Sequence, residues 1–133
     1  MNKIRVFDAT RDYNEVCRWW AEAGEPRPPL EIIPRTTFIL ENNVSAPWIC
    51  LSLIQFNVSQ VAWSAGLVSN PDLPREGRKE AVKQLWDFVA GYAKNLGYKS
   101  LMCVAPRESL EKRYKEMGFM PTYRNQTFMV REL

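Results

Sequence analysis

Apolar residues recur along this chain with two periods, and the changes between them mark out its elements. In "KIRVFDA", residues 3–9, Ile4, Val6 and Ala9 alternate loosely with polar neighbours, which predicts a short strand. Thr10 then offers a helix N-cap. Tyr13, Val16, Cys17, Trp20 and Ala23 follow at three- and four-residue steps up to Gly24, the stripe of an amphipathic helix. Trp19 lies beside that stripe, either as packing or as part of a ligand wall. Residues 24–34, "GEPRPPLEIIP", hold four prolines in eleven positions and cannot be regular helix or central strand. They predict a stiff loop, which reads as a simple crossover or as an acceptor-binding segment.

Three strands come next. "TTFILE" and "APWICLSLIQF" flank Asn42-Asn43, whose tolerance of positive φ suits a hairpin turn, and "QVAWSAGLVS" runs on to Asn70-Pro71. In succession they predict an antiparallel meander with an apolar face. After "NPDLPREGRKEAV", the residues Ala81, Val82, Leu85, Phe88, Val89, Tyr92, Ala93 and Leu96 form a broad helical stripe, with Lys94 in its last turn and Gly97 beyond. "YKSLMCVA" suits a buried strand. Pro106 opens a helix with Leu110, Tyr114 and Met117 on one face before Gly118, and "TYRNQTFMVREL" reads as a last strand. The fold class is α+β, in the order β-α-β-β-β-α-β-α-β, with no repeat and no linker, so residues 1–133 read as a single domain.

Composition narrows the chemistry. A chain of 133 residues that is 46% apolar can bury one core. Its +3 charge comes from 18 basic and 15 acidic residues interleaved along the length, which gives little support to a nucleic-acid partner. Histidine is absent, which removes the commonest metal ligand and the usual base of triad hydrolases. No metal is expected. Cys17, Cys50 and Cys103 are odd in number, far apart and in apolar contexts, as free thiols of a reducing compartment are. The start, "MNKIRVFDAT", lacks a signal-peptide run, and no window reaches the roughly 18 apolar residues of a membrane span. These features predict a soluble, cytoplasmic protein with no membrane partner.

"LEKRYKEMGF", preceded by "AKNLGYKSL", resembles the GNAT superfamily of N-acyltransferases, which pass an acyl group from acyl-CoA to an amine. Tyr114 to Phe119 is similar to that family's Tyr-x-x-x-Gly-Phe, and the element order extends the resemblance over essentially the whole chain. Trp20, the proline loop, "AWSAGLVSNP" followed by Arg78-x-x-Ala81, and "MVREL" resemble short GNAT-like proteins of bacteriophages, which would place the protein in a host cytoplasm.

The resemblance implies acetyl-CoA as acyl donor and a small-molecule or peptide amine as acceptor. Leu67, Val68 and Ser69 would present strand backbone to the donor. Gly77, Arg78, Lys79, Glu80, Ala81 and Val82 would form the pyrophosphate loop at a helix N-terminus, where unpaired amides and the helix dipole favour an anion. Arg75, Arg78 and Lys79 add charge. The family signature has glycines where this chain has Ala81 and Lys83. By the same resemblance Tyr114 protonates the departing thiolate, although Leu110, Tyr114 and Met117 also make a plain core stripe. A general base is not evident: "AWSAGLVS" has no carboxylate, which leaves Ser64, Ser69 or Glu41. Two functions follow, an N-acetyltransferase or a GNAT-like binding or structural module without efficient chemistry. Whether the chain forms a homodimer stays open.

Overall fold

In a computed structural model of the chain, the residues described are 1–56, 60–105, 107–122, 129, 131 and 133. They divide into two compact units, residues 1–103 and residues 104–133. The fold is mixed α+β, as the sequence pattern predicts: a five-stranded, mostly antiparallel sheet flanked by helices.

The first unit holds the sheet, in the spatial order β1-β2-β3-β4-β5. β1 (Lys3–Val6), β2 (Thr37–Glu41), β3 (Pro47–Ile54) and β4 (Val61–Ser69) form an antiparallel meander. β5 (Ser100–Met102) joins β4 in parallel, after a crossover through helix α2 (Arg78–Asn95). The β2–β3 turn is held by Asn42, whose Oδ1 accepts from the amides of Val44 and Ala46. The positive φ falls on Ser45, at 60°, rather than on the asparagine pair.

Alternation along the strands assigns the two faces. Ile39, Cys50 and Val68 pack against Val16 and Trp19 of α1 (Ala9–Glu22). Phe38, next along β2 and therefore on the opposite face, packs edge-on against Phe88 and Tyr92 of α2, at ring-centroid distances of 5.0 and 5.2 Å. The helix stripes differ from expectation in detail. On α1 the buried residues are Asp12, Val16, Cys17 and Trp19, while Trp20 is half-buried and Ala23 exposed. The N-cap is Asp8, not Thr10. On α2 the inward stripe includes Trp86, and Phe88, Tyr92 and Leu96 are partly exposed. β5 is short and half-exposed, not a buried strand of up to eight residues.

The turn of α1 toward Asp12 has a polar cause. Asp12 is 3% exposed and accepts from Arg5 Nη1 at 2.6 Å, Arg5 Nη2 at 2.8 Å and the Asp8 amide at 2.8 Å. A buried carboxylate is tolerated when paired and hydrogen-bonded in this way. Burial pushes its pKa up, but the Arg5 hydrogen bonds, the Asp8 amide and the charges of Arg5 and Arg11 outweigh that and hold it below the usual value. Arg5 also donates to Glu41 at 3.0 Å, and Arg11 to the same oxygen at 3.1 Å.

The second unit contains α3 (Glu108–Glu116), with Tyr114 buried and Leu110 and Met117 half-buried along one face. The expected start at Pro106 lies outside the described residues, as does most of the expected last strand.

Candidate functional site

The pairing of β4 changes partway along its length. On one side it stays bonded to β3 as far as Ile49 opposite Ser69. On the other, the ladder to β5 consists of Val61, Ala62 and Trp63 opposite Ser100, Leu101 and Met102, and stops there. Residues 64–69 thus form an edge with no strand partner among the described residues, although β4 lies inside the sheet. Alternate residues of a strand turn their amides and carbonyls to opposite edges, so the groups that this stretch turns to its β5 side have no strand partner among the described residues.

A bulge falls within the same stretch. Cys50 pairs with Val68 and Ser52 with Ala65, so two steps along β3 match three along β4. The extra residue is accommodated at Gly66, whose φ of +75° lies in the left-handed region that costs an L-residue roughly 1–2 kcal/mol. The bulge reverses the facing of β4. Ala65 lies on the α1 side before it, and Val68 returns to that side after it. The expected donor-binding residues Leu67, Val68 and Ser69 are therefore the bulge and its continuation. Reading the sequence alone did not single out Gly66, although a lone glycine inside a strand pattern is the signal of a bulge.

A cavity of about 330 Å³ opens on the α1 side of this bulge. Its lining includes Ala65 and Gly66 of β4, Cys50, Ser52 and Ile54 of β3, Thr37 of β2, Phe7, Val16 and Trp20, and Glu25, Pro26, Pro28, Ile32, Ile33 and Pro34 of the proline-rich loop. That loop is thus a cavity wall and more than a crossover. It is tied to α1: Tyr13 donates its hydroxyl to the Pro28 carbonyl at 2.8 Å, and the Arg27 guanidinium stacks 5.1 Å from the Tyr13 ring centroid. Trp20, not Trp19, contributes to the wall. Trp19 is 1% exposed in the core and donates to Glu15 at 3.0 Å. Burial pushes the Cys50 thiol up to about 12, with Asp12 adding to the rise and Arg5 opposing it, so the thiol is neutral.

The segment from β4 to α2 begins at Asn70, which is buried. It donates Nδ2 to the Pro47 carbonyl at 3.0 Å and accepts from the Asp72 amide at 3.0 Å, an Asx turn. Gly77 is the N-cap of α2, with φ +77° and no side-chain cap, so the first-turn amides receive no side-chain acceptor from that position. Arg78 donates Nη1 to Ser69 Oγ at 2.8 Å, joining the end of β4 to the start of α2. Lys79 and Glu80 are exposed, whereas Ala81 and Val82 are buried at 0% and 7%. A Cβ on Gly77 would meet the Trp48 ring at 3.6 Å, and the Trp48 indole N–H is buried with no acceptor among the described residues.

The remaining candidates separate. Ser64 donates to the Ser52 carbonyl at 2.7 Å. Glu41 is held by Arg5 and Arg11 and does not line the cavity. Tyr114, in the second unit, is 6% exposed with its ring 5.7 Å from Phe119.

No family model matches the chain, and no curated protein matches it. Its fold does have solved counterparts. It is similar to a Trypanosoma brucei acetyltransferase, 16% identical, over 98% of this chain and 100% of that one, with a TM-score of 0.75. It is similar to glucosamine-6-phosphate N-acetyltransferase from Arabidopsis thaliana, 8% identical, over 97% and 98% of the two chains, TM-score 0.68. It also matches N-acetylglutamate synthase from Neisseria gonorrhoeae complexed with coenzyme A and L-arginine, 18% identical with TM-score 0.72, over 96% of this chain but 29% of that one. The fold of this chain is that of the GNAT-type acetyltransferases. Among the described residues there is no cluster of three or more metal-ligating side chains, and no helix long and apolar enough to cross a membrane.

Proposed function

We propose that the protein is an acyl-CoA-dependent N-acyltransferase, with acetyl-CoA as donor and an amine as acceptor. The observation that carries this reading is the stretch of β4, residues 64–69, that has no strand on its β5 side among the described residues, is bulged at Gly66 and opens on a cavity. Acetyl-CoA supplies an activated thioester carbonyl. Leu67, Val68 and Ser69 offer backbone along which an extended donor arm is held by strand-like bonds, as peptides are held on sheet edges. The segment Gly77, Arg78, Lys79, Glu80, Ala81 and Val82 offers a diphosphate the positive end of a helix dipole, with charge from Arg78 and Lys79, while the Arg78 amide is already bonded to the Arg75 carbonyl and the Ala81 amide to the Gly77 carbonyl. The residues present fit such a group, since Gly77 carries no side chain and gives the helix start no side-chain cap.

In this mechanism the β4 amides face the carbonyl oxygen as it gains negative charge, the arrangement that most lowers acyl-transfer barriers. The amine nitrogen bonds to the carbonyl carbon, the carbon–sulfur bond breaks, and the thiolate takes a proton, a role that the sequence resemblance gives to the Tyr114 phenol. The surplus proton on nitrogen leaves to solvent, from which Tyr114 is reprotonated. With Glu41 and Ser64 engaged elsewhere, positioning of an already neutral amine stands in for a dedicated base. Neither a metal nor a nucleic acid takes part. The origin among short phage proteins, acting in a host cytoplasm, rests on the sequence words around Trp20, the proline loop and "MVREL".

A second reading is a GNAT-like binding module without turnover, favoured by Lys83, which stands at a family glycine position and bonds to Asp87 at 2.8 Å. Titration with acetyl-CoA separates them. At a hundredfold excess over Kd a ligand of the native state stabilises it by about 2.7 kcal/mol, a readily seen thermal shift. Absence of heat and shift at millimolar donor refutes the enzyme. Given binding, Tyr114→Phe is expected to lower thiol release while leaving donor affinity unchanged, and equal turnover removes Tyr114 from the mechanism.

A further inference from the structure

Resting on the acyl-transfer reading, we infer that the acceptor is a small primary amine carried on an aromatic or other apolar body, taken into the cavity beside the β4 bulge. Ala65 and Gly66 belong both to this cavity and to the part of β4 beyond its pairing with β5, so a molecule filling the cavity abuts the backbone that would hold the thioester. The cavity's volume, about 330 Å³, lies at the small end of the range for ligand sites, which suits a compact acceptor such as one ring with a short alkylamine arm.

The lining selects by charge as well as size. Phe7, Trp20, Ile33 and Ile54 give it an apolar wall with two aromatic faces. Its hydroxyls are already engaged: Thr37 donates to Pro34 or pairs with Ser52, at 2.7 and 2.8 Å. The Cys50 thiol is protonated and neutral. Among the described residues the lining contains no lysine and no arginine, and Glu25, exposed and without an ion pair there, is its one charged residue. A buried phosphate or carboxylate needs cationic donors, which this wall lacks. An ammonium finds both a carboxylate and aromatic faces. A polyamine would leave its further charges unpaired in an apolar wall. The anionic molecules named for two of the similar structures, glucosamine 6-phosphate and N-acetylglutamate, are thus the wrong class for this cavity.

Calorimetry with the full chain tests this, with CoA present and absent, against phenethylamine, tryptamine, 2-phenylethanol, glucosamine 6-phosphate, glutamate and a short peptide with a free N-terminus. Phenethylamine and tryptamine are expected to bind at least tenfold more tightly than the sugar phosphate, glutamate or peptide. Ala65→Phe, at an exposed position facing the cavity, is expected to weaken them tenfold or more without lowering the melting temperature. Glu25→Gln is expected to weaken phenethylamine severalfold while leaving 2-phenylethanol unchanged. No heat from the arylalkylamines in either condition, preference for an anion or the peptide, or indifference to both variants overturns the inference. Thiol release on the same panel keeps the two readings apart. Release with a peptide or anion alone upholds acyl transfer and sinks the amine class, whereas amine binding lost in Ala65→Phe, with no release, does the reverse.

Discussion

Gly66→Ala probes the bulge directly, because its cost comes almost wholly from the backbone. A Cβ at residue 66 would meet Ser52 Oγ at 3.6 Å, an ordinary contact, so the substitution adds no clash. What it adds is a methyl at φ +75°, worth about 1–2 kcal/mol against an L-residue, less a few tenths recovered from the stiffer unfolded chain. A net loss near 1 kcal/mol corresponds to a fall of about 3–5 °C in Tm for a domain of this size. Gly91 is the internal control: it lies inside α2 with nothing within 4 Å of a Cβ, so Gly91→Ala is expected to raise stability by about 0.5–1 kcal/mol. Opposite signs for one chemical change, read by thermal circular dichroism, are the signature of a strained bulge. Under the proposed function, thiol release falls further than stability does, since a shift near 1 Å in a positioning group can cost on the order of a hundredfold. If Gly66→Ala melts at or above the wild-type temperature while Gly91→Ala is stabilised, the left-handed bulge is refuted, and with it the account of how β4 meets the cavity.

Two further outcomes follow from buried titrating groups. Asp12 is held below its ordinary value of 3.8, so its stabilising contribution is present above about pH 4 and lost as pH falls through the depressed native value. Asp12→Asn should flatten that acid limb in denaturant titrations between pH 2 and 7, and an unchanged slope refutes the assignment. Arg5→Met at pH 7, which leaves Asp12 buried without its cation, is expected to cost about 3–5 kcal/mol. Cys50 runs the other way. Its thiol ionises near 9.0 when unfolded and at about 12 when folded, so the unfolded state sheds its proton first and stability falls across that window, by up to about 1.4 kcal/mol per pH unit. Cys50→Val should remove part of that alkaline decline, and an identical decline in both proteins contradicts the burial of the thiol.

The element order was legible because it depends on hydrophobic period, and the period changes sharply at Gly24, Asn70 and Gly97. The face of α1 was misjudged by one residue because hydropathy counts Asp12 as outward. Its burial depends on Arg5, an ion-pair partner seven residues away on another element, which no local pattern reveals. Trp19 likewise goes inward once Glu15 accepts its indole N–H. The end of the β4–β5 ladder was illegible for a different reason: "YKSLMCVA" has the composition of a strand throughout, yet its pairing with β4 covers three residues and ends at Trp63. The cavity draws on six separate segments between Phe7 and Gly66, so no window of sequence contains it. Two of its pieces were within reach, the proline-rich loop as a stiff segment open to an acceptor and Gly66 as a glycine alone in an alternating strand.

The glycine-poor start of α2 is less adverse to an anion than its composition suggests. A family glycine matters where a Cβ would stand between phosphate and amide, but Ala81 is wholly buried and Val82 nearly so, their side chains directed into the core. Alanine in place of the family glycine at position 81 therefore adds nothing on the outward side of the helix start. Lys83 bonds to Asp87, one turn further along the exposed surface, and leaves the first turn clear. The position that governs approach is Gly77, where the left-handed φ and the missing side chain coincide. What this chain loses from the expected pattern is thus conformational freedom within an already regular helix, and what it keeps is access at the N-cap, with Arg78 fixed beside it by Ser69.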